Sequence, residues 1–198
     1  MLTKAEQTTK FIIETVAPIF NQKGYAATSM ADITAATGLT KGAIYGNFEN
    51  KEAIAIAAFK KNVNDLLKQV AKHQELSNSP IEKLLLITDF YRNYYTFSME
   101  LGGCPILNIG VDSKNQNTRL MEQVQRVINK TQEHIVKLVH MGIEAGEIKP
   151  DTNAEKFARF MYGRIQGAVF MSQTMQDIRY LREAADEIDN TISQELKR

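Results

Sequence analysis

The stretch from Lys51 to Gln74 contains no Gly or Pro and is rich in Ala, Lys, Leu and Ile. These residue types have high helix propensity, and so long a stretch without a helix breaker favours one continuous helix. Apolar residues recur at helical spacing along most of the remaining chain. No segment alternates convincingly with the period of two that a half-buried strand requires. The pattern predicts an all-α protein of about nine helices.

Gly, Pro and helix-capping residues mark where these helices are expected to begin and end. The expected elements are a first helix ending at Lys23-Gly24, a second after the Ser29 cap through Thr37, further helices at 41–47, 51–74 and 81–101, an apolar piece reaching Val111, and helices at about 117–145, 153–175 and 177–196. The Ser, Asn and Pro residues between 76 and 80 indicate a boundary near the end of the fourth helix.

Composition excludes several classes of protein. The chain has a single cysteine, Cys104, so it cannot form an intramolecular disulfide, and the reducing cytosol is its expected compartment. Charged residues interrupt the N-terminal segment, and no apolar run approaches the ~18 residues that cross a bilayer. The net charge of +1 argues neither for nor against nucleic acid. We expect a folded, cytoplasmic protein that does not insert into a membrane.

Residues 29–48 have the pattern of two short helices joined by a tight turn at Gly38. Ile33, Leu39 and Ile44 supply the apolar contacts that such helices need to pack near a right angle, as in a helix-turn-helix. The second helix would then be exposed and could enter a major groove about 12 Å wide. This motif predicts binding to double-stranded DNA.

Several residues in and after the motif are candidates for contacts with DNA. Lys41 and Tyr45 can reach phosphates, whereas Gly42 and Ala43 are small enough for close approach. Asn47 lies on or near the outer surface of the second helix, and the helix that starts at Lys51 offers backbone donors to a phosphate. These contacts would make binding depend on salt.

The motif and the helix before it closely resemble the DNA-binding signature of the TetR family over residues 9–59. The matching residues are Phe20, Gly24-Tyr25, Thr28-Ser29, Ile33, 38–45, Phe48 and Lys51-Glu52. The resemblance implies that Lys41 and Tyr45 contact phosphates, that Thr28 starts the second helix against the DNA backbone, and that residues from Thr40 to Ala43 face bases. The sequence departs from the family pattern at Thr34 and Thr37, where alanine is usual, and at Gly46-Asn47, where a bulky His or Tyr is common. The departure at Gly46-Asn47 concerns base readout rather than fold.

The same resemblance implies a two-domain regulator. Residues 1–50 would form the DNA-binding domain and 51–198 a helical ligand-binding and dimerisation domain, with the helix at 51–75 linking the two. The expected partners are a palindromic operator, a second copy of the chain and a small-molecule effector of unknown identity. Effector binding would shift the population towards a state whose recognition helices no longer match successive major grooves, which lie ~34 Å apart.

Aromatic residues concentrate on the predicted fifth helix. A buried tyrosine needs a partner for its hydroxyl, so several in one bundle are consistent with an apolar cavity that carries a few polar groups, although for any single one a place in the core is the better interpretation. The candidate cavity residues are Phe90, Tyr91, Tyr94, Phe97, Cys104, Leu107, Met121, Val124, Ile128, Phe160, Arg164 and Gln166.

The last two predicted helices carry apolar residues at helical spacing. The resemblance implies that they pair with their twofold mates in a four-helix bundle, although an internal core face explains each single residue equally well. The candidate dimer-interface residues are Met161, Ile165, Val169, Leu181, Ala185 and Ile188. A dimer is also expected because twofold proteins recognise palindromic half-sites.

No pattern indicates catalysis or a resident cofactor. The chain has no Gly-rich phosphate loop or nucleophile motif, and His73, His134 and His140 lack the spacing of a metal site. Cys104 is more typical of a small buried residue than of a redox sensor. Two alternatives remain open: a DNA-binding regulator without small-molecule control, which predicts a fully packed second domain, and a helical interaction module, which predicts no salt-dependent DNA binding.

Overall fold

The computed structural model of the protein describes residues 2–198. Within this range it contains ten α-helices and no strand apart from a single antiparallel bridge between Ile148 and Lys197. The helices are α1 (Lys4–Ala27), α2 (Met30–Thr37), α3 (Lys41–Tyr45), α4 (Lys51–Gln74), α5 (Pro80–Arg92), α6 (Tyr94–Glu100), α7 (Pro105–Ser113), α8 (Thr118–Glu144), α9 (Ala154–Met175) and α10 (Arg179–Thr191), followed by a π-helical turn at Ile192–Leu196. The predicted all-α fold is confirmed.

The helix expected at 81–101 is two helices in the structure. Asn93 separates α5 from α6 with a φ of -110° and a ψ of 6°. The sequence has neither Gly nor Pro there, and asparagine is only a mild helix breaker, so the signal is weak. The apolar piece before Val111 is a full helix, α7, with Pro105 in its first turn, where a missing backbone N–H costs little.

The first compact unit combines Leu101–Gln125 with the described residues up to Leu66. Helix α1 packs against α2 and α7. The core of this unit consists of fully buried apolar side chains, including Ile12, Val16, Phe20, Ile33, Ile44, Ile54, Phe59 and Leu120. The predicted division of function after residue 50 stays a prediction.

The end of α1 is held by α7 and the loop before it. The side-chain amide of Asn21 donates to the carbonyls of Leu101 (2.6 Å) and Gly103 (2.9 Å), and the amide of Asn108 donates to the carbonyl of Asn21 (2.9 Å). One carboxylate oxygen of Asp112 accepts the backbone N–H of Tyr25 at 2.6 Å. These bonds satisfy buried polar groups and fix α7 on α1.

The second compact unit consists of Leu67–Glu100 and Arg126–Arg198. Helix α9 packs against α6 and α10, and α10 packs against α5. The guanidinium of Arg92 pairs with the carboxylates of Asp186 and Asp189, which links α5 to α10. Both carboxylates raise the pKa of Arg92. Over the described residues no helix is long and apolar enough to cross a membrane.

Candidate nucleic-acid interface and cavity

The helix-turn-helix is built from local capping. Ser29 and Asp32 form a capping box at the start of α2, in which the Ser29 hydroxyl accepts the N–H of Asp32 and the Asp32 carboxylate accepts the N–H of Ser29. Gly38 ends α2 with a φ of 68°, in the left-handed region that favours glycine. Thr40 then caps α3 by accepting the N–H of Ala43 at 3.2 Å. The turn predicted from the sequence is therefore present, with Ile33 and Ile44 buried on either side of it.

Five of the eight predicted DNA contacts are exposed at the start of α3 or along it: Thr40, Lys41, Gly42, Ala43 and Tyr45. Tyr45 is a large aromatic residue with 45% of its surface exposed. The Cβ that a residue at Gly42 would add meets only the Thr40 side chain, at 3.9 Å, so the backbone there is open to close approach. This helix presents a small, polar and aromatic surface of the kind that enters a groove.

The side chains of Thr28 and Lys51 are engaged inside the first unit. The Thr28 hydroxyl is fully buried and donates to the carbonyl of Gly24 at 2.6 Å. The ammonium of Lys51 donates to the carbonyls of Tyr25 (2.8 Å) and Thr28 (2.7 Å), and it lies 4.4 Å from the centre of the Tyr25 ring. Lys51 thus caps the C-terminal end of α1 with a cation, and backbone donors at the start of α4 remain as candidates for phosphate contact.

Asn47 connects two elements of the motif. Its side-chain oxygen accepts the Thr9 hydroxyl at 2.9 Å, and its amide donates to the carbonyl of Ala43 at 2.9 Å. The residue is half-buried, in contrast to the exposed residues of α3. Asn47 therefore holds the end of α3 against α1, which the sequence did not predict because the partner residue is distant along the chain.

Electrostatics strengthens the cap of α2. The ammonium of Lys23 lies 2.7 Å from the Asp32 carboxylate, and this bond, together with hydrogen bonds from the Ser29 side chain and backbone, holds the pKa of Asp32 well below its ordinary value of 3.8. The carboxylate is thus ionised at neutral pH in the first turn of α2, where the helix dipole favours a negative charge.

The second unit contains an apolar cavity of about 230 Å³ between α4, α5, α8 and α9. Its apolar lining residues are Leu67, Val70, Ala71, Ile87, Ile135 and Ile165. Its polar lining residues are Gln74, Tyr91, Lys130, Thr131, His134, Tyr162 and Gln166. A concave, mostly apolar space with a few polar groups is the ordinary form of a small-molecule site.

The polar groups of the cavity differ in how well they are satisfied. His134 Nε2 lies 3.1 Å from the side-chain oxygen of Gln74, whose amide donates to the carbonyl of Lys83 at 3.2 Å. Burial, together with the charges of Lys137 and Lys83, lowers the pKa of His134, so its imidazole is neutral at neutral pH. Gln166 stands apart, since its side-chain nitrogen and oxygen are both buried and have no hydrogen-bond partner.

Only two of the twelve predicted cavity residues line this cavity, Tyr91 and Gln166. Phe90, Tyr94 and Phe97 form an aromatic cluster with Tyr91, with ring centres 5.0 to 6.4 Å apart. The remaining predicted residues lie elsewhere: Cys104, Leu107, Met121 and Val124 belong to the first unit, Ile128 is half-buried on α8, and Phe160 and Arg164 are on the exposed face of α9.

The sequence interpretation missed the wall that α4 supplies. Leu67, Val70, Ala71 and Gln74 follow helical spacing, and that spacing was the available signal. The sequence predicts only a continuous linking helix here, because nothing in one sequence distinguishes a side chain that packs against another from one that faces a space. Within residues 2–198 no three His, Cys, Asp or Glu side chains come together as a possible metal site.

The six predicted dimer-interface residues are buried inside a single chain, each at 5% exposure or less. They lie on the faces of α9 and α10 that are turned into the second unit, which leaves almost none of their surface open to a partner. This placement corrects the prediction for these residues. The exposed face of α9 consists of other residues, among them Phe160, Gly163, Arg164, Gly167 and Phe170.

Comparison with known protein families gives one match in each half of the chain. The sequence model described as "Bacterial regulatory proteins, tetR family" matches residues 12–58. The model described as "Tetracyclin repressor-like, C-terminal domain" matches residues 80–188. The first of these matches spans the helix-turn-helix, and the second spans most of the second unit.

Individual relatives extend over most of the chain. The HTH-type transcriptional repressor DhaR of Mycobacterium sp. (strain GP1) is 26% identical over 162 residues, which cover 80% of this chain and 78% of that protein. The crystal structure of a TetR-family transcriptional regulator from Cytophaga hutchinsonii is 35% identical and covers 100% of this chain and 98% of its own, with a TM-score of 0.93.

A more distant structure, FadR from Bacillus subtilis in complex with stearoyl-CoA, shares the fold with a TM-score of 0.74 at 18% identity, covering 93% of this chain and 97% of its own. The two matched models and the similarity to the Cytophaga hutchinsonii regulator establish the family. The chain belongs to the TetR family of bacterial transcriptional regulators.

Proposed function

We propose that the chain is a cytoplasmic repressor that binds a palindromic operator as a homodimer and leaves it when a small molecule occupies the cavity of the second unit. The observation that carries this proposal is the capped helix-turn-helix with an exposed α3, in a chain that also holds an apolar cavity. The similarity to DhaR, a transcriptional repressor, supports repression as the sign of regulation.

The exposed residues of α3 are the proposed DNA-binding surface. Lys41 and Tyr45 contact phosphates, and residues from Thr40 to Ala43 approach base edges in the major groove. The backbone N–H groups at the start of α4 supply a further phosphate contact near Lys51. Asn47 and the side chains of Thr28 and Lys51 act indirectly, by holding α3 and the end of α1 in position.

The proposed homodimer uses the exposed face of α9. Phe160, Gly163, Gly167 and Phe170 follow one another at intervals of three or four residues and therefore share a side of the helix. A Cβ added at Gly163 or Gly167 meets nothing within 4 Å, so a second helix can approach closely there. Because α3 has only five residues, two copies are needed to read a long site.

The proposed control depends on helices that belong to both compact units. Leu66 and Leu67 in α4 lie on either side of the division between the units, as do Gln125 and Arg126 in α8. Both helices also contribute walls to the cavity, through Leu67 to Gln74 and Lys130 to Ile135. An effector that binds one arrangement of these helices more tightly shifts the population towards it.

The cavity and α3 also help to distinguish the proposed function from the two alternative functions. A regulator without small-molecule control has no need of an open apolar space, whose lining loses packing contacts. A helical interaction module has no need of the exposed, capped α3. The similarity to FadR suggests a second candidate effector class, the acyl thioesters.

Selection from a random double-stranded DNA library, followed by affinity measurements at several salt concentrations, tests the DNA-binding proposal. We expect an enriched palindrome and an affinity that falls steeply as salt rises. Lys41→Ala should weaken binding to all sequences and reduce the slope of log affinity against log salt by about one. Lys68→Ala, at an exposed position of α4 in the second unit, is the matched control and should leave both unchanged.

Failure to enrich any sequence, including after the protein has been unfolded and refolded to remove a bound effector, would contradict the proposal. If Lys41→Ala binds DNA with unchanged affinity and salt dependence, α3 is not the DNA-binding surface.

A further inference from the structure

We propose that the effector is a small, neutral molecule about as large as one substituted ring, with a hydrogen-bond donor and an acceptor side by side that pair with the amide of Gln166. This inference rests on the proposed function, because it names the chemical class that the regulatory cavity accepts. Three properties of the cavity indicate this chemical class: its volume, the unsatisfied side-chain amide of Gln166 and the charge of its walls.

The volume limits the size of the molecule. A cavity of about 150 Å³ holds benzene, so by proportion one of about 230 Å³ holds roughly nine non-hydrogen atoms. Pockets for drug-sized ligands begin near 300 Å³, which is above this value. By the same proportion, a long acyl chain such as that of the stearoyl-CoA bound to FadR needs a larger space than this. The walls favour an apolar body, since Leu67, Val70, Ile87 and Ile165 line it.

Gln166 specifies the polar group. Both polar atoms of its side chain are buried in the wall of the cavity and have no hydrogen-bond partner. A buried donor or acceptor left unsatisfied is costly, and an amide presents one of each. A carboxamide or lactam satisfies both at once through two parallel hydrogen bonds, whereas a ketone or a hydrocarbon leaves at least one unmet.

Three of the other polar lining residues are already hydrogen-bonded within the protein. Gln74 and His134 bond to each other on the α4 and α8 sides, and the Thr131 hydroxyl donates to the carbonyl of Val127 at 2.9 Å. The ligand is therefore anchored at the α9 wall.

The charge of the walls favours a neutral ligand. The residues that line the cavity include no Asp or Glu, so a cationic group would enter without a counter-charge. The one permanently charged lining residue, Lys130, is exposed, where solvent screens it and weakens its attraction for an anion. A neutral polar group loses less hydration than either ion on entering an apolar space.

Five molecules of nearly the same shape test these properties one at a time. Benzamide carries the proposed group, acetophenone lacks the donor, cumene lacks both donor and acceptor, benzamidine is cationic and benzoate is anionic. Binding of each to the purified full chain is measured by calorimetry and by the shift in thermal unfolding temperature. We expect benzamide to bind about tenfold or more tightly than acetophenone and cumene, and benzamidine to bind most weakly.

Substitution of Gln166 gives the matched test. In Gln166→Leu the preference of benzamide over cumene should disappear or reverse, while the protein still unfolds cooperatively. In Gln166→Met, which keeps an unbranched side chain of similar length, the same loss is expected. Gln173→Leu is the control on the same helix, since the Gln173 amide donates to the Ser98 hydroxyl outside the cavity, and its ligand preference should equal that of the wild type.

Because ligand binding is measured directly, failure of this inference can be distinguished from failure of the proposed function. Three outcomes would overturn the ligand class even if specific DNA binding is intact. They are equal binding of all five molecules, tightest binding of benzamidine or benzoate, and an unchanged preference in both Gln166 variants. Binding of none of the five to a chain that binds DNA would also overturn it. Benzamide binding through Gln166 that leaves operator affinity unchanged would support the ligand class and contradict small-molecule control.

Discussion

At the scale of single residues, the Lys51 side chain is engaged within the first unit, although Lys51 belongs to the DNA-binding signature of the family. Its ammonium donates to the last carbonyls of α1 and lies over the Tyr25 ring. A cation at this position offsets the negative end of the helix dipole and satisfies carbonyls that have no partner within the helix. Lys41, in contrast, is exposed on α3. The two lysines are therefore expected to respond differently to substitution.

Lys51→Met should lower the free energy of unfolding by about 1.5 to 3 kcal/mol, because it removes charge-assisted hydrogen bonds but keeps most of the aliphatic chain. Urea unfolding measures this loss. The salt slope of DNA binding should change less than in Lys41→Ala. The opposite result, a stable Lys51→Met protein with a smaller salt slope, would place the Lys51 ammonium on a phosphate.

Gly24 provides a second prediction at this scale. Its φ of 79° is in the left-handed region, and a Cβ there would lie 2.8 Å from the Asp112 carboxyl carbon. Gly24→Ala should therefore destabilise the protein by about 1 to 3 kcal/mol. Gly42→Ala, at a helical position with open space, should be neutral or slightly stabilising. Equal stability of the two variants in urea would contradict this account of Gly24, whose φ and ψ of 79° and 176° interrupt the helical backbone of α1.

Residue roles were predictable from the sequence only where the partner is near in the chain. Ser29, Gly38 and Thr40 act within three or four residues, so their capping roles followed from the pattern. Asn47 bonds to Thr9, and its role depends on how distant parts of the chain pack. The same limit explains why Gln166 was predicted to line a cavity without any sign that its amide lacks a partner.

At the scale of elements, α2 depends on an ionised cap. The pKa of Asp32 is lowered by Lys23 and Ser29, so the unfolded chain binds a proton more tightly than the folded chain at this residue. The stabilising contribution is therefore complete above the ordinary value of 3.8 and is lost as the pH falls below it, towards the lower folded pKa.

Asp32→Asn should make the stability of the protein depend less on pH in this acidic range. We expect the wild type to lose stability relative to the variant as the pH is lowered from about 5 to 3, as measured by thermal unfolding at each pH. Glu49→Gln, at an exposed position outside the caps, is a control for general loss of negative charge. Parallel profiles for the wild type and Asp32→Asn would show that the cap does not depend on charge.

Element boundaries followed from the sequence where strong signals exist. The caps of α2 and α3 and the unbroken run of α4 have such signals, and the observed bounds agree closely with the expected ones. The break at Asn93 has none, and the helix that follows it, α6, packs against α9. Local propensity cannot predict a break that tertiary packing decides.

At the scale of the whole molecule, the proposed homodimer brings two α3 helices to one operator. Phe160 and Phe170 are exposed at 36% and 52% on a face of α9 that also carries Gly163 and Gly167. Phe170→Glu should weaken the dimer at least tenfold, since it places two charges in an apolar contact. Sedimentation equilibrium measures the change. Met141→Glu, at a similarly exposed position on α8, should leave the dimer intact.

Phe170→Glu leaves the residues of α3 unchanged, so it should reduce affinity for the whole operator while nonspecific DNA binding persists. Met141→Glu should bind the operator as the wild type does. If Phe170→Glu dimerises with the wild-type affinity, the dimer interface lies on another face of the protein.

The central claim is that two copies of the exposed α3 read a twofold DNA site, and titration of the selected palindrome against its isolated half-site tests it most directly. At physiological salt we predict two chains bound per palindrome and an affinity for the half-site that is at least about a hundredfold weaker, because the half-site engages one recognition helix. One chain per site, with equal affinity for palindrome and half-site, would contradict the account.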